Sequence, residues 1–317
     1  MKVFLKTKLS RRIIWTVAIL FFLMNVIAIF HAYKFTHFSD DKIERSKDPQ
    51  KLGRVEKIKT LVFGVNNPRP INKSIPSQKF VTVRLKGQKE IECWYIPNPI
   101  NRGTVIIYHG FSGNKASMLD KSDEFFALGF NTLLVDFMGS GGSEGNQTTI
   151  GFFESEQVKT SYDYIKSRGE SKIYLFGTSM GSVAIMKAFH DFKIDPNAII
   201  LECPFGSMYK TVCARFELMN APTFPMAGLL VFWGGIQNGF WAFGHNPSKY
   251  AKSITCPTLL FYGEQDKKVS LGEMAEISSN IQAPQKLKIF PEAGHENLLN
   301  KNSDTWRNEV SGFLKMN

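Results

Sequence analysis

The chain has 317 residues, 43% of them hydrophobic and 21% charged, with a mean hydropathy of −0.14. That is enough apolar material to build a core, which excludes wholesale disorder, and too polar an average for a polytopic transporter. The formal charge of +11 is concentrated at the start, where Lys2, Lys6, Lys8, Arg11 and Arg12 lie unopposed, and the scattered surplus that remains excludes a nucleic-acid stripe.

The first element is Ile13 to Phe30, IIWTVAILFFLMNVIAIF, without charge and with a single amide at Asn25. It is long enough to cross a hydrocarbon layer as one helix. A cleaved signal peptide has the same basic-then-apolar pattern, but the following HAYKFTHF lacks a small-x-small cleavage site, so the sequence predicts a transmembrane anchor over 13–30 behind a basic tail of 1–12. The basic tail, with only Lys34 close behind the span, predicts a cytoplasmic N-terminus, a single pass through the cell membrane and an extracytoplasmic remainder. Residues 31–77 are polar and broken by prolines at 68, 70 and 76, and read as a linker into a domain over 78–317.

Phe80–Leu85 and Glu90–Ile96 flank KGQK as an opening hairpin. Six short apolar runs follow, Thr104–Tyr108, Thr132–Phe137, Lys172–Phe176, Ala198–Leu201, Thr258–Tyr262 and Leu287–Phe290, of the kind that strands buried on both faces require. Helical stretches lie between and after them at Ala116–Leu128, Phe152–Ser167, Met180–Phe189, Leu271–Asn280 and Glu296–Leu314. The alternation predicts an α/β architecture with a mostly parallel, doubly wound sheet. One connection is too long for an ordinary crossover: residues 205–250 hold ten aromatics and only four charged residues, Lys210, Arg215, Glu217 and Lys249, and read as an inserted helical cap.

The sharpest motif is Gly177-Thr178-Ser179-Met180-Gly181, placed between a strand and a helix. Such a turn holds its serine in a strained conformation with the hydroxyl exposed at the C-terminal edge of the sheet, which makes Ser179 the candidate nucleophile. A serine hydroxyl needs a base and the base an orienting carboxylate. His295 in PEAGH and Asp266 in GEQD both follow strands at that same edge, and the order Ser179, Asp266, His295 is the one expected of this elbow; Glu202, at the end of AIIL, is the runner-up acid. Acyl transfer also needs donors to a developing oxyanion, for which the backbone N–H groups of Met180 and of Phe111 in HGFSG are candidates, with His109 bracing that loop. The glycines of DFMGSGGSEG do not complete a dinucleotide fingerprint, because Glu144 stands at the third glycine position, and four cysteines without CxxC or Cys/His spacing predict free thiols and no metal.

HGF at 109–111, DFMGSGGSEG at 136–145, GTSMG at 177–181 and CPTLLFYGEQD…EAGH across 256–295 together resemble the α/β-hydrolase superfamily, specifically its capped, membrane-anchored esterases and monoacylglycerol lipases. The resemblance implies Ser179 as nucleophile, Asp266 as acid, His295 as base, an oxyanion hole of Phe111 and Met180, and no cofactor. Met138 stands where family members often carry Arg or His, which blurs the subfamily. The expected function is hydrolysis of a small-molecule or lipid-like carboxylic ester with an apolar acyl group. An acyltransferase or peptidase using the same trio, and a non-catalytic binding protein of the same fold, are the alternatives. A peptidase would want carboxylates in the cap, where Glu217 is the only acid; a binding protein usually lacks one of the three residues.

Overall fold

The computed structural model describes residues 8–40, 43–46 and 52–317; Lys2 and Lys6 of the basic tail lie outside them. Among the described residues eight strands, β1 (Val81–Leu85), β2 (Ile91–Ile96), β3 (Thr104–Tyr108), β4 (Asn131–Val135), β5 (Ile173–Thr178), β6 (Ala198–Glu202), β7 (Thr258–Gly263) and β8 (Gln285–Phe290), form one sheet in the order β1-β2-β4-β3-β5-β6-β7-β8. β1 and β2 are the hairpin around KGQK, β2 runs antiparallel to β4, and every other pairing is parallel.

Helices cover both faces, which is why β3, β4, β6 and β7 are buried at every residue. Successive side chains alternate between two cores: Ile106 and Tyr108 join one, Val105 and Ile107 the other. The first core is completed by α4 (Glu154–Ser167), α5 (Met180–Asp191) and α9 (Leu271–Asn280), the second by α3 (Leu119–Ala127) and α11 (Ser303–Met316). The helix expected over 296–314 is two pieces, α10 (Leu298–Lys301) and α11, because the Asn302 side chain accepts the Thr305 N–H at 3.1 Å and starts a new helix.

Between β6 and β7 the chain builds α6 (Met208–Leu218), α7 (Met226–Asn238), a 3₁₀ turn at Ala242–Gly244 and α8 (Pro247–Tyr250). Part of the aromatic content of this cap ties it to the core: the buried His245 ring meets Phe152, Phe205 and Phe240 edge-on. His245 Nε2 also donates to the Ile150 carbonyl at 3.0 Å. Another part, including Phe224, Phe232 and Trp241, is exposed.

At the N-terminus α1 (Lys8–Thr36) is longer at both ends than the apolar run and is the one described helix long and apolar enough to cross a membrane. Its second half packs along α7. Trp233 Nε1 donates to Asn25 Oδ1 at 2.9 Å, Gln237 Nε2 to the Ile29 carbonyl at 2.9 Å and Asn238 Nδ2 to Thr36 Oγ1 at 3.2 Å. Because a step of four residues on one helix meets a step of four on the other, the two run in the same direction. The stretch read as a linker carries a helix of its own, α2 (Arg54–Phe63), whose Lys57 reaches the Leu218 carbonyl of the cap at 2.8 Å. Where α1 ends, the chain is stitched to the core: the Thr148 N–H donates to the Thr36 carbonyl at 2.8 Å and the Phe38 N–H to the Asn146 carbonyl at 2.6 Å.

Candidate active site

Ser179 stands between β5 and α5 at φ 52°, ψ −109°, a region L-residues avoid. The flanking glycines are a steric requirement of that turn. A Cβ at Gly177 would fall 2.6 Å from the Gly181 carbonyl carbon, and one at Gly181 would fall 2.5 Å from the Tyr108 carbonyl oxygen. The Ser179 N–H donates to the Glu202 carbonyl at 2.7 Å, so the strained turn is pinned to the end of β6.

The three residues singled out by order along the chain converge at this edge. His295 Nε2 lies 2.9 Å from Ser179 Oγ, and His295 Nδ1 lies 2.6 Å from Asp266 Oδ2. The other carboxylate oxygen of Asp266 is occupied by its own loop, accepting the Lys268 N–H at 2.7 Å and the Val269 N–H at 3.0 Å, which aims Oδ2 at the imidazole. Asp266 is buried while Ser179 and His295 are half-buried, so the hydroxyl has an approach. Glu202, the runner-up acid, faces away: its carboxylate accepts Trp306 Nε1–H at 2.6 Å and the Thr178 hydroxyl at 3.1 Å, and burial raises its pKa. The donor atoms of Cys203, Asp266 and His295 lie within 4.8 Å of one another. Both imidazole nitrogens in that cluster are committed to Ser179 and Asp266, and burial pushes the Cys203 thiol well up.

Phe111 and Met180 frame Ser179. Met180 is the first residue of α5, where helical N–H groups have no internal partner. The Phe111 loop passes close by, since a Cβ at Gly110 would stand 3.6 Å from Ser179 Cβ. That loop is a tight turn, with the Gly113 N–H donating to the Gly110 carbonyl at 3.0 Å and Ser112 at φ 57°. His109 braces it: Nε2 accepts the Phe137 N–H at 3.1 Å, so the ring proton sits on Nδ1, which donates to the Gly110 carbonyl at 2.8 Å. Burial lowers the His109 pKa and keeps this imidazole neutral.

A cavity of about 400 Å³ opens beside the site. It reaches the site through Phe111, Ser112 and Lys268, while Ser179 and His295 are outside its lining. Leu230 and Val231 of α7 and Val212 and Phe216 of α6 make it apolar; among the described residues Arg45, Arg215 and Lys268 are its lysine and arginine members, and none of those lining it is a carboxylate. Glu217, the cap's acid, is exposed and outside it. The remaining walls include His31, Ala32, Phe35 and Thr36 of α1, which sequence assigns to the membrane span's exit and not to the site.

Two further supports were missed from sequence. Asp136, in the DFMGSGG loop, accepts the Lys115 N–H at 2.6 Å, Lys115 Nζ at 2.5 Å, Asn72 Nδ2 at 2.8 Å and the Gly142 N–H at 3.0 Å. The buried pair fixes the loop in which Phe137 meets His109. On the other side, Asn297 Nδ2 donates to Asp120 Oδ2 at 2.6 Å, and its side-chain oxygen accepts from Lys121, which holds the His295 loop against α3. An aspartate immediately after β4 was the available signal for the first; nothing local marks the second.

Elbow, sheet order and cap together are those of the α/β-hydrolase fold. A family model described as serine aminopeptidase, S33, matches residues 99–231. The chain is 24% identical over 229 residues to the uncharacterized protein YqkD of Bacillus subtilis, covering 71% of this chain and 75% of that one. It is 26% identical over 188 residues to the lysophosphatidylserine lipase ABHD12 of Danio rerio, covering 55% of this chain and 46% of that one. The esterase Pf2001 of Pyrococcus furiosus has the same fold, with a TM-score of 0.68 at 23% identity over 78% of this chain and 96% of that one.

Proposed function

We propose that the protein is a membrane-anchored serine esterase that cleaves carboxylic esters with an apolar acyl group, through an acyl-enzyme on Ser179. The observation that carries this reading is the relay from Ser179 Oγ through His295 to Asp266, at 2.9 and 2.6 Å. Ser179 Oγ attacks the ester carbonyl as His295 Nε2 takes its proton, and Asp266 stabilises the imidazolium. The N–H groups of Phe111 and Met180 receive the oxyanion. Collapse breaks the acyl–oxygen bond, with His295 returning the proton to the departing alcohol. Water then enters, loses a proton to His295 and attacks the acyl-enzyme; a second collapse releases the acid and restores Ser179.

The apolar cavity beside the relay supports an acyl pocket. Its cations and lack of carboxylates fit a substrate such as that named for the zebrafish relative, an acyl chain on an anionic headgroup. The same lining argues against an aminopeptidase, which would need an acid for the substrate's ammonium. Transfer of the acyl group to an alcohol would use the same residues, and an acceptor alcohol added to the ester assay distinguishes it from hydrolysis. The exposed apolar surface of α1 from Ile13 to Phe30 supports an anchor. The basic residues before it support a cytoplasmic N-terminus and an extracytoplasmic catalytic domain.

The test is labelling by a fluorophosphonate and turnover of p-nitrophenyl esters of increasing chain length. Ser179→Ala is expected to lose both while remaining folded, and the wild type to prefer longer acyl groups. A labelled Ser179→Ala protein overturns the nucleophile, a wild type that neither labels nor turns over any ester leaves the non-catalytic alternative standing, and preference for acetate overturns the acyl pocket.

A further inference from the structure

We propose that the last turn of α1 is part of the acyl-transfer site, with Phe35 a positioning residue that holds the Phe111 N–H in place. The inference rests on the reading of Ser179 as nucleophile and Phe111 as oxyanion donor, and extends it to a segment that sequence assigns to the linker.

The Phe35 and Phe111 rings are stacked, with centroids 4.6 Å apart and planes 7° from parallel, and Phe38 approaches Phe111 from another side at 6.3 Å. Among the described residues, both ring partners of Phe111 therefore come from the chain that leaves the anchor. The Arg215 guanidinium of α6 stands 5.7 Å from the Phe35 ring and donates through Nη1 to the Thr211 carbonyl at 2.7 Å. Cap, anchor and oxyanion loop thus meet at one aromatic ring.

Phe35 is itself held firmly enough to act as a support. Asn67 Nδ2 donates to its carbonyl at 3.0 Å, Thr36 is bonded to Thr148 and Asn238, and Phe38 to Asn146. The direction of the Phe111 N–H depends on the backbone torsions of a short turn, and a side chain clamped on its flat face limits those torsions. An oxyanion donor must sit within a fraction of an ångström of its target to stabilise the transition state. Docking of α1 on the cap is thereby coupled to the competence of the site.

The experiment uses the full chain in detergent micelles, with sites counted by fluorophosphonate labelling taken to completion. p-Nitrophenyl acetate, whose acyl group is too short to fill the cavity, reads the chemistry; p-nitrophenyl decanoate reads the walls. Phe35→Leu keeps apolar bulk and removes the ring: kcat on acetate is expected to fall about tenfold per counted site, with KM unchanged. Phe35→Tyr keeps the stack and is expected to keep kcat. If Phe35→Leu leaves kcat on acetate intact and only raises KM on decanoate, Phe35 is a cavity wall and the proposal is overturned. It is equally overturned if Phe35→Tyr loses as much kcat as Phe35→Leu. Turnover of acetate by Ser179→Ala would instead sink the underlying nucleophile reading, a result recognisable without any Phe35 variant.

Discussion

The sheet and the junction of α1 with the cap are built on different principles. In the sheet, β3, β4, β6 and β7 are buried along their whole length, and Ser179, Asp266 and His295 follow the C-terminal ends of β5, β7 and β8, whose backbone is fixed by ladder hydrogen bonds. Where α1 meets the cap, side chains do the fastening: one indole to one amide, one amide to one carbonyl. A ladder of main-chain hydrogen bonds fixes strand ends whatever the side chains, whereas a junction fastened by side-chain pairs can be loosened by single substitutions.

The largest effect sharpens the first half of that comparison. Asp266→Asn is expected to lower kcat about 10⁴-fold, as neutralising the orienting acid of such a triad does. Glu202→Gln should leave kcat within the wild-type range and cost about 1–2 kcal/mol of stability, because its partners are Trp306 and Thr178 and not His295. Steady-state kinetics and thermal unfolding of the two variants separate them; an Asp266→Asn enzyme of wild-type rate would reassign the acid.

A second effect concerns the joint between the two regions. Burial lowers the His245 pKa to about 4 from an ordinary 6.5. Between those values the unfolded chain binds a proton that the folded one refuses. The contribution of His245 to stability is therefore complete above pH 6.5 and is lost as pH falls toward 4, by about 3 kcal/mol in total. Denaturant midpoints from pH 7 to 4 should fall more steeply for the wild type than for His245→Asn; equal slopes would contradict the buried neutral imidazole.

The smallest effect tests the side-chain fastening. Trp233→Phe removes the donor to Asn25 while keeping the ring, and is expected to destabilise the detergent-solubilised protein by about 1 kcal/mol. Unchanged thermal unfolding would mean that α1 and α7 do not hold each other through this pair.

The sheet was legible in sequence because strands buried on both faces must be apolar at consecutive positions; β3 matches at both ends, and the other seven strands differ by only one or two residues at an end. The elbow was legible because its glycines answer a steric demand visible in five residues. Asn302 shows a local signal passed over: a capping residue in a Lys-Asn-Ser-Asp run divides what periodicity reads as one helix. The contact of Phe35 with Phe111 had no such signal. The partner ring lies 76 positions away in a loop, and an aromatic residue at the end of an apolar helix looks the same whether it faces lipid, cavity or neighbour. Asn25 offered a hint, since an amide within a hydrocarbon span asks for a partner, but the identity of that partner, Trp233, is a property of the fold.

The most direct test of the central claim is to trap the acyl-enzyme formed from a slowly deacylating p-nitrophenyl ester and to map the modified peptide by mass spectrometry. The expected result is a single acyl adduct on Ser179, absent in His295→Ala. An adduct on another residue, or stoichiometric turnover without one, would contradict the account.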